Sequence, residues 1–157
     1  EHKILDTGGG VKNAIPLFDD KYILIINSDI FLIKENKKDI INLVSNFRSN
    51  DKCKLLLVEK ANAHGMADKP GDFSLKDNVV KRWTTNDNIL YYSGLQMIDL
   101  NIFEDFCVNK FSFNDLWNTQ MKKNALYGVV MTSNWFHVGN QKGLKEAINY
   151  NNLNFVI

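Results

Sequence analysis

The sequence predicts an α/β domain built on a mixed, mainly parallel sheet with helices on both faces. Residues 22–26 (YILII) form an unbroken apolar run of strand length, the pattern of a strand buried on both faces. Residues 54–58 (KLLLV) form a second such run, and residues 37–47 between them repeat apolar side chains at helical spacing. Strand, helix and strand in that order make a βαβ unit, whose strands should run parallel.

The remaining elements follow in chain order. Gly8, Gly9 and Gly10 resist helix and strand alike and mark a loop or a helix entry. Residues 11–17 then read as a short helix with Val11, Ala14 and Ile15 on its apolar face, stopped near Pro16. Asn36 is placed to cap the helix over 37–47, with Ile40, Ile41, Leu43, Val44 and Phe47 on its core side. Residues 62–72, with His64, two glycines and Pro70, read as a loop. Residues 73–75 and 79–83 form a hairpin around Lys76, Asp77 and Asn78. Residues 90–98 make a strand interrupted at Ser93 and Gly94, and residues 111–123 an amphipathic helix capped by Ser112 or Asn114. Strands at 126–131 and 135–138 and a helix over 141–150 complete a single domain spanning 1–157.

Composition bounds the function. The 157 residues carry 19 basic and 18 acidic side chains, a net charge of +1 with no basic face or run, which argues against a nucleic-acid partner. No apolar run reaches the ~18–20 residues of a membrane span. Cys53 and Cys107 match no metal spacing and read as free thiols of a cytoplasmic protein.

A few positions carry chemistry. Asp29 follows the first buried strand, where open α/β sheets bind ligands; it either holds a cation or hydroxyl, or closes the loop as a cap. Gly8 to Gly10 either let backbone N–H groups approach a nucleotide or make a tight turn, and Lys12 beyond them is a phosphate partner or a solvated lysine. His137, between large apolar groups, is either a core residue or a metal ligand with Asp29; imidazole suits Mn²⁺ or Zn²⁺ better than Mg²⁺. Trp83, Tyr91, Tyr92, Trp117 and Trp135 read as core aromatics, one or two of them available to stack on a sugar.

Taken in order, these segments resemble a known family. Residues 5–17 (LDTGGGVKNAIPL) resemble the L-E-T-G-G-G-h-x-x-A-L-P-L segment of bacterial sugar-1-phosphate nucleotidyltransferases, the compact mannose-1-phosphate guanylyltransferase and N-acetylmuramate-1-phosphate uridylyltransferase type. Residues 27–30 (NSDI) resemble their N-G-D-h motif, 71–73 (GDF) their G-D-F, 92–96 (YSGLQ) their Y-T-G-I-Q, and 135–140 (WFHVGN) their W-x-[D/H]-V-G-T. The resemblance implies a Rossmann-like, three-layer fold and a metal-dependent reaction, with Mg²⁺ or alternatively Mn²⁺, between a nucleoside triphosphate (GTP or UTP) and a sugar 1-phosphate. By the same resemblance, Asp29 would hold the catalytic metal with His137, and Thr7, Gly8, Gly9, Gly10 and Lys12 would line the nucleotide. Gly71, Asp72, Ser93 and Gly94 would contact the sugar phosphate.

Asp6 stands where the family commonly has Glu, Ser28 where it has Gly, and His137 where many members have Asp. The family's N-terminal G-x-G-x-R segment, which wraps the triphosphate, has no match, so the expectation is an N-terminally truncated chain. A separate N-terminal chain or self-association over an exposed sheet edge would complete it. The alternatives are an inactive fragment, a non-catalytic nucleotide- or sugar-binding subunit, or a GT-A-type glycosyltransferase, though NSD is not the D-x-D such an enzyme normally carries.

Overall fold

In the computed structural model, which describes residues 4–66 and 69–154, the sheet carries helices on both faces but is not mainly parallel. Its six strands lie in the order β1 (Tyr22–Ile26), β7 (Leu90–Asp99), β3 (Cys53–Glu59), β8 (Leu126–Val130), β6 (Val79–Arg82) and β5 (Phe73–Lys76). Only β3 and β8 pair in parallel; β7 runs antiparallel to both β1 and β3. The βαβ expectation holds for direction and fails for adjacency. The strands β1 and β3, joined through helix α2 (Asn36–Ser45), point the same way but are separated by β7. A strand covered on both faces shows the same continuous apolar run in either orientation, so the sequence pattern does not tell the two apart.

Alternation along the strands divides the interior into two clusters. Cys53, Leu55 and Leu57 of β3 face one side with Leu90 and Ile98, while Leu56 and Val58 face the other with Tyr91 and Leu95. The first side is covered by helix α3 (Phe113–Lys122), through Phe113, Leu116 and Trp117, and by Val11 of helix α1 (Asp6–Ala14). The second side is covered by Leu43 and Ile40 of α2. Ile41 and Val44 of that helix are exposed, against expectation. So is Ile26 at the end of β1, which is half-buried rather than buried because it is a sheet edge.

Helix α1 begins five residues earlier than the sequence suggests and contains all three glycines. Glycine disfavours helix, but tertiary packing decides here. A Cβ on Gly8 would lie 2.5 Å from the Phe111 ring, and one on Gly9 would lie 2.2 Å from the Asn109 carbonyl oxygen. Asn36 is not a cap: it sits inside α2, where its Nδ2 donates to Ser133 Oγ (2.7 Å) and the Asn134 carbonyl (2.8 Å). Ser112 does cap α3, its backbone N–H donating to the Asp115 carboxylate at 2.9 Å. The expected interruption of β7 is a bulge, with Gly94 at φ +83° opposite the register shift between Leu55 and Leu57.

A second, three-stranded sheet of very short strands orders β2 (Ile30–Phe31), β9 (Trp135–His137) and β4 (Ala63–His64). The expected loop over 62–72 therefore contains a strand, and β9 leaves the main sheet. Helix α4 (Gln141–Asn154) packs on β9 and β4. Cys53 and Cys107 are both free thiols.

Candidate functional site

Beyond the carboxyl end of β1 lies a cleft of two adjoining depressions, of about 240 and 200 Å³, that share Asn27, Asp72 and Tyr92. Its position follows the rule that open α/β sheets bind ligands outside the carboxyl ends of their strands.

The smaller depression carries the charged groups. Strand β2 starts directly after Asp29 and pairs antiparallel with β9, placing Ile30 opposite His137. Val138 N–H donates to the Asp29 carbonyl at 2.8 Å, which fixes the two segments to each other. Asp29 Oδ2 and His137 Nδ1 are consequently 3.7 Å apart, across residues distant in sequence. Gly139 lies against both: a Cβ there would be 2.7 Å from His137 Cε1 and 3.4 Å from Asp29 Oδ2. Lys69 lines the same depression, opposite in sign to the two carboxylates. Trp135 forms part of its wall, with its indole N–H buried and unpartnered among the described residues.

Asp72 stands where the two depressions meet. Its Oδ2 accepts from Tyr92 N–H (3.0 Å), and burial pushes its carboxyl above the usual aspartate value, partly offset by that hydrogen bond and by the charges of Arg82 and Lys69. Burial also drives the Tyr92 phenol well above its ordinary value. The larger depression is walled by aromatic rings, with Tyr92 edge-on to Trp117 (4.7 Å) and Phe113 stacked on Trp117 (6.0 Å). Thr7 reaches its rim, held by a bond from Phe113 N–H to its hydroxyl at 3.1 Å. Arg82 and Asn114 complete it.

The structure thus gathers Asp29, His137, Asp72, Gly94 and Thr7 around one cleft. It does not bring every expected residue there. Ser93 is fully buried, and its hydroxyl donates to the Leu56 carbonyl at 2.8 Å, tying β7 to β3. Gly8 and Gly9 serve close packing of α1. Gly10, half-buried in the same helix, lines neither depression. Lys12 lies in a different depression, where its ammonium donates to the Phe106 carbonyl and to the Val108 carbonyl at 3.3 Å. Gly71 backs onto Trp83, whose ring a Cβ would meet at 2.7 Å, so it shapes the approach to Asp72 without lining the cleft. Sequence reasoning passed over Asn27, Lys69, Arg82 and Asn114. Asn27 had a signal, since it precedes Asp29 by two positions and its N–H donates to the Gly94 carbonyl at 2.8 Å. The other three come from separate loops and faces and carry no local pattern.

Two ligands for one cation must lie roughly 3–4 Å apart when each is about 2.1 Å from it, and the Asp29–His137 separation meets that. Among the described residues no third histidine, cysteine or carboxylate joins them. The remaining positions would be left to water and phosphate oxygens, as hard cations at phosphate sites prefer. No helix among the described residues is long and apolar enough to cross a membrane.

No protein-family model matches the chain. It is 28% identical over 145 residues to the N-acetylmuramate alpha-1-phosphate uridylyltransferase of Neisseria meningitidis serogroup B, covering 91% of this chain and 61% of that protein. It is 27% identical over 147 residues to the enzyme of the same name from Caulobacter vibrioides, covering 91% and 60%. Among solved structures it matches HddC from Yersinia pseudotuberculosis with a TM-score of 0.69 at 20% identity, covering 96% of this chain and 64% of that one. It also matches the inositol-1-phosphate CTP transferase from T. maritima, with a TM-score of 0.66 at 10% identity and coverage of 93% and 60%. The chain therefore spans about three fifths of the length of the curated relatives it matches. Over nine tenths of its length the chain is thus similar to two N-acetylmuramate alpha-1-phosphate uridylyltransferases, and it shares the fold of the solved structures.

Proposed function

We propose that the protein transfers a nucleotidyl group from a nucleoside triphosphate to a sugar 1-phosphate, and that this chain supplies the metal pair and the sugar side of the site. The observation that carries the reading is the convergence of Asp29 and His137 with Asp72 and Lys69 on one cleft at the end of β1. A phosphate oxygen of the sugar 1-phosphate attacks the α-phosphorus, the bond from that phosphorus to the β-bridging oxygen breaks in line, and pyrophosphate leaves. Such a reaction needs positioning and neutralisation of charge more than covalent help from the protein.

Asp29 and His137 would hold Mg²⁺ or Mn²⁺, which on binding polarises phosphate oxygens and neutralises developing charge. The ammonium of Lys69 offers a second positive charge at the same depression, and Asp72 accepts hydrogen bonds from sugar hydroxyls. Gly94, at φ +83° and with a Cβ position only 2.9 Å from Ile30, keeps the backbone beside Asn27 accessible. Thr7 marks the nucleoside side. UTP is the preferred nucleotide on the uridylyltransferase names of the two relatives, with GTP as the alternative.

Strand β1 ends the sheet, and no described strand pairs with its outer side. A separate N-terminal chain or a second copy could add there and bring further triphosphate contacts. A second reading, a non-catalytic nucleotide- or sugar-binding subunit, is favoured by the small metal-ligand set among the described residues. Incubating the full-length protein with UTP or GTP, Mg²⁺ or Mn²⁺ and a series of sugar 1-phosphates, and measuring pyrophosphate, separates the two. Release that Asp29→Asn abolishes supports transfer; binding of nucleotide and sugar phosphate with no pyrophosphate from any pair would leave the binding subunit.

A further inference from the structure

Asn36 is polar and fully buried, and the reaction outlined above makes no use of it. The register of the short ladder that carries Asp29 and His137 gives it a place. Strands β2 and β9 pair antiparallel, with Ile30 opposite His137 and Phe31 opposite Phe136. At one end of that ladder Val138 N–H donates to the Asp29 carbonyl. Continued the other way in the same register, it brings Ile33 opposite Asn134, beyond the ends of both strands. The side-chain amide of Asn36 stands between the two chains there. Ile33 N–H donates to its Oδ1 at 2.8 Å, and its Nδ2 donates to the Asn134 carbonyl at 2.8 Å. A side-chain amide offers an acceptor and two donors, so it serves as a rung that neither strand supplies.

The same turn of α2 grips the approach to β9 a second time. Asn36 Nδ2 also donates to Ser133 Oγ at 2.7 Å, and that hydroxyl donates to the buried carboxyl of Asp39. Asp39 further accepts from Thr132 N–H (3.0 Å), the Thr132 hydroxyl (3.1 Å) and Ser133 N–H (3.3 Å). Among the described residues no cation pairs with it. Asp39 thus fastens only the turn between β8 and β9, while the Asn36 amide also reaches the β2 side. That second reach matters because two paired residues specify register weakly. A slip of one residue would turn His137 to the opposite face of the ladder, away from Asp29.

We propose that Asn36 is a positioning residue for the metal pair: by bridging Ile33 and Asn134 it locks β2 against β9 in register and so holds Asp29 and His137 at their 3.7 Å separation. This rests on the reading of those two side chains as metal ligands. Asn36 lines neither depression of the cleft, so it acts only through the backbone of the ladder.

The test is binding of Mn²⁺ alone to the full-length protein, followed by paramagnetic relaxation, beside the thermal midpoint of each variant. Asn36→Ala removes the bridge and should weaken Mn²⁺ binding about tenfold, as loss of a residue supporting metal ligands does. Ser133→Ala leaves the Ile33–Asn36–Asn134 bridge intact but takes a donor from Asp39. It should lower the thermal midpoint and leave Mn²⁺ affinity at the wild-type level. Unchanged affinity in folded Asn36→Ala would overturn the proposal, and so would equal weakening in both variants, which would mean general loosening. Should Asn36→Ala not fold, hydrogen exchange of the wild type decides. The Ile33 amide should exchange as slowly as that of Val138, and rapid exchange at Ile33 alone would overturn the bridge. A wild type that binds no Mn²⁺ removes the metal-pair reading and the proposal with it, an outcome distinct from the others.

Discussion

The two ends of the cleft are held by different kinds of force. At the Asp29 end, position comes from the main chain: strands of two and three residues, the Ile30–His137 pairing and the Val138 N–H bond to the Asp29 carbonyl. At the Arg82 end it comes from side chains, as Trp117, Phe113 and Tyr92 pack off the main sheet and two asparagines grip the guanidinium. Backbone pairing defines a separation narrowly, while a packed aromatic wall is robust to small changes and costly to hollow out. The first end should break through its charges and glycines, and the second through its rings.

The largest effect is expected at Asp29. Asp29→Asn removes the carboxylate charge while preserving shape, and should lower pyrophosphate release by about a hundredfold or more, with the thermal midpoint little changed. At the other end, Trp117→Ala empties a site in the main core and should cost about 3–5 kcal/mol of unfolding free energy by denaturant titration. Its indole N–H bond to Gln96 Oε1 (3.0 Å) is lost as well.

Two glycines sharpen the contrast. In Gly143→Ala the new Cβ would fall 1.9 Å from the His137 carbonyl oxygen, which is backbone and cannot step aside. A loss of about 1–3 kcal/mol is expected in the same titration. In Gly139→Ala the contact is the imidazole itself, a movable side chain. Stability should hold to within about 0.5 kcal/mol, while Mn²⁺ affinity, read by paramagnetic relaxation, falls about tenfold.

The smallest effect depends on pH. Burial holds the Asp72 carboxyl above its unfolded value, so the folded chain keeps that proton to higher pH than the unfolded chain does. Stability is therefore lost as pH rises from the unfolded to the folded pKa, and the loss persists above it. Asp72→Asn keeps an oxygen to accept from Tyr92 N–H and removes the buried charge. Its thermal midpoint should exceed that of the wild type near pH 7 and match it near pH 3; the reverse order would mean that Arg82 and Lys69 outweigh burial.

How much of this the sequence disclosed follows the same division. Asp29 was found because it follows a recognisable apolar strand and His137 because it lies between large apolar groups on one, whereas Asp72, in a loop, was found only through the resemblance of residues 71–73 to a family motif. The helices α2, α3 and α4 showed in their periodicity, and the bulge at Gly94 in the break after Tyr92. The strands β2 and β4 were missed because two residues carry no period. Arg82 and Lys69 were missed because what gives them meaning is a neighbour far along the chain. Gly8 and Gly9 misled for the opposite reason: their local preference against helix is real, but contacts with Asn109 and Phe111 outweigh it. Ser93 looked like a ligand contact and is a tie within the sheet.

The placement of β7 between β1 and β3 also governs how the molecule is made. When residue 59 leaves the ribosome both flanking strands exist, but the strand that joins them starts only at Leu90, about thirty residues later. Until then β1 lacks its described partner and the edges of β3 stay unpaired, with Leu55 and Leu57 on the face away from α2, because the parallel neighbour β8 comes later still. Closing these long loops must precede any reward from pairing, which places the sheet among slowly forming topologies. A nascent chain stalled before β7 leaves the apolar runs of β1 and β3 without the strand that pairs with both, and is a form prone to aggregate.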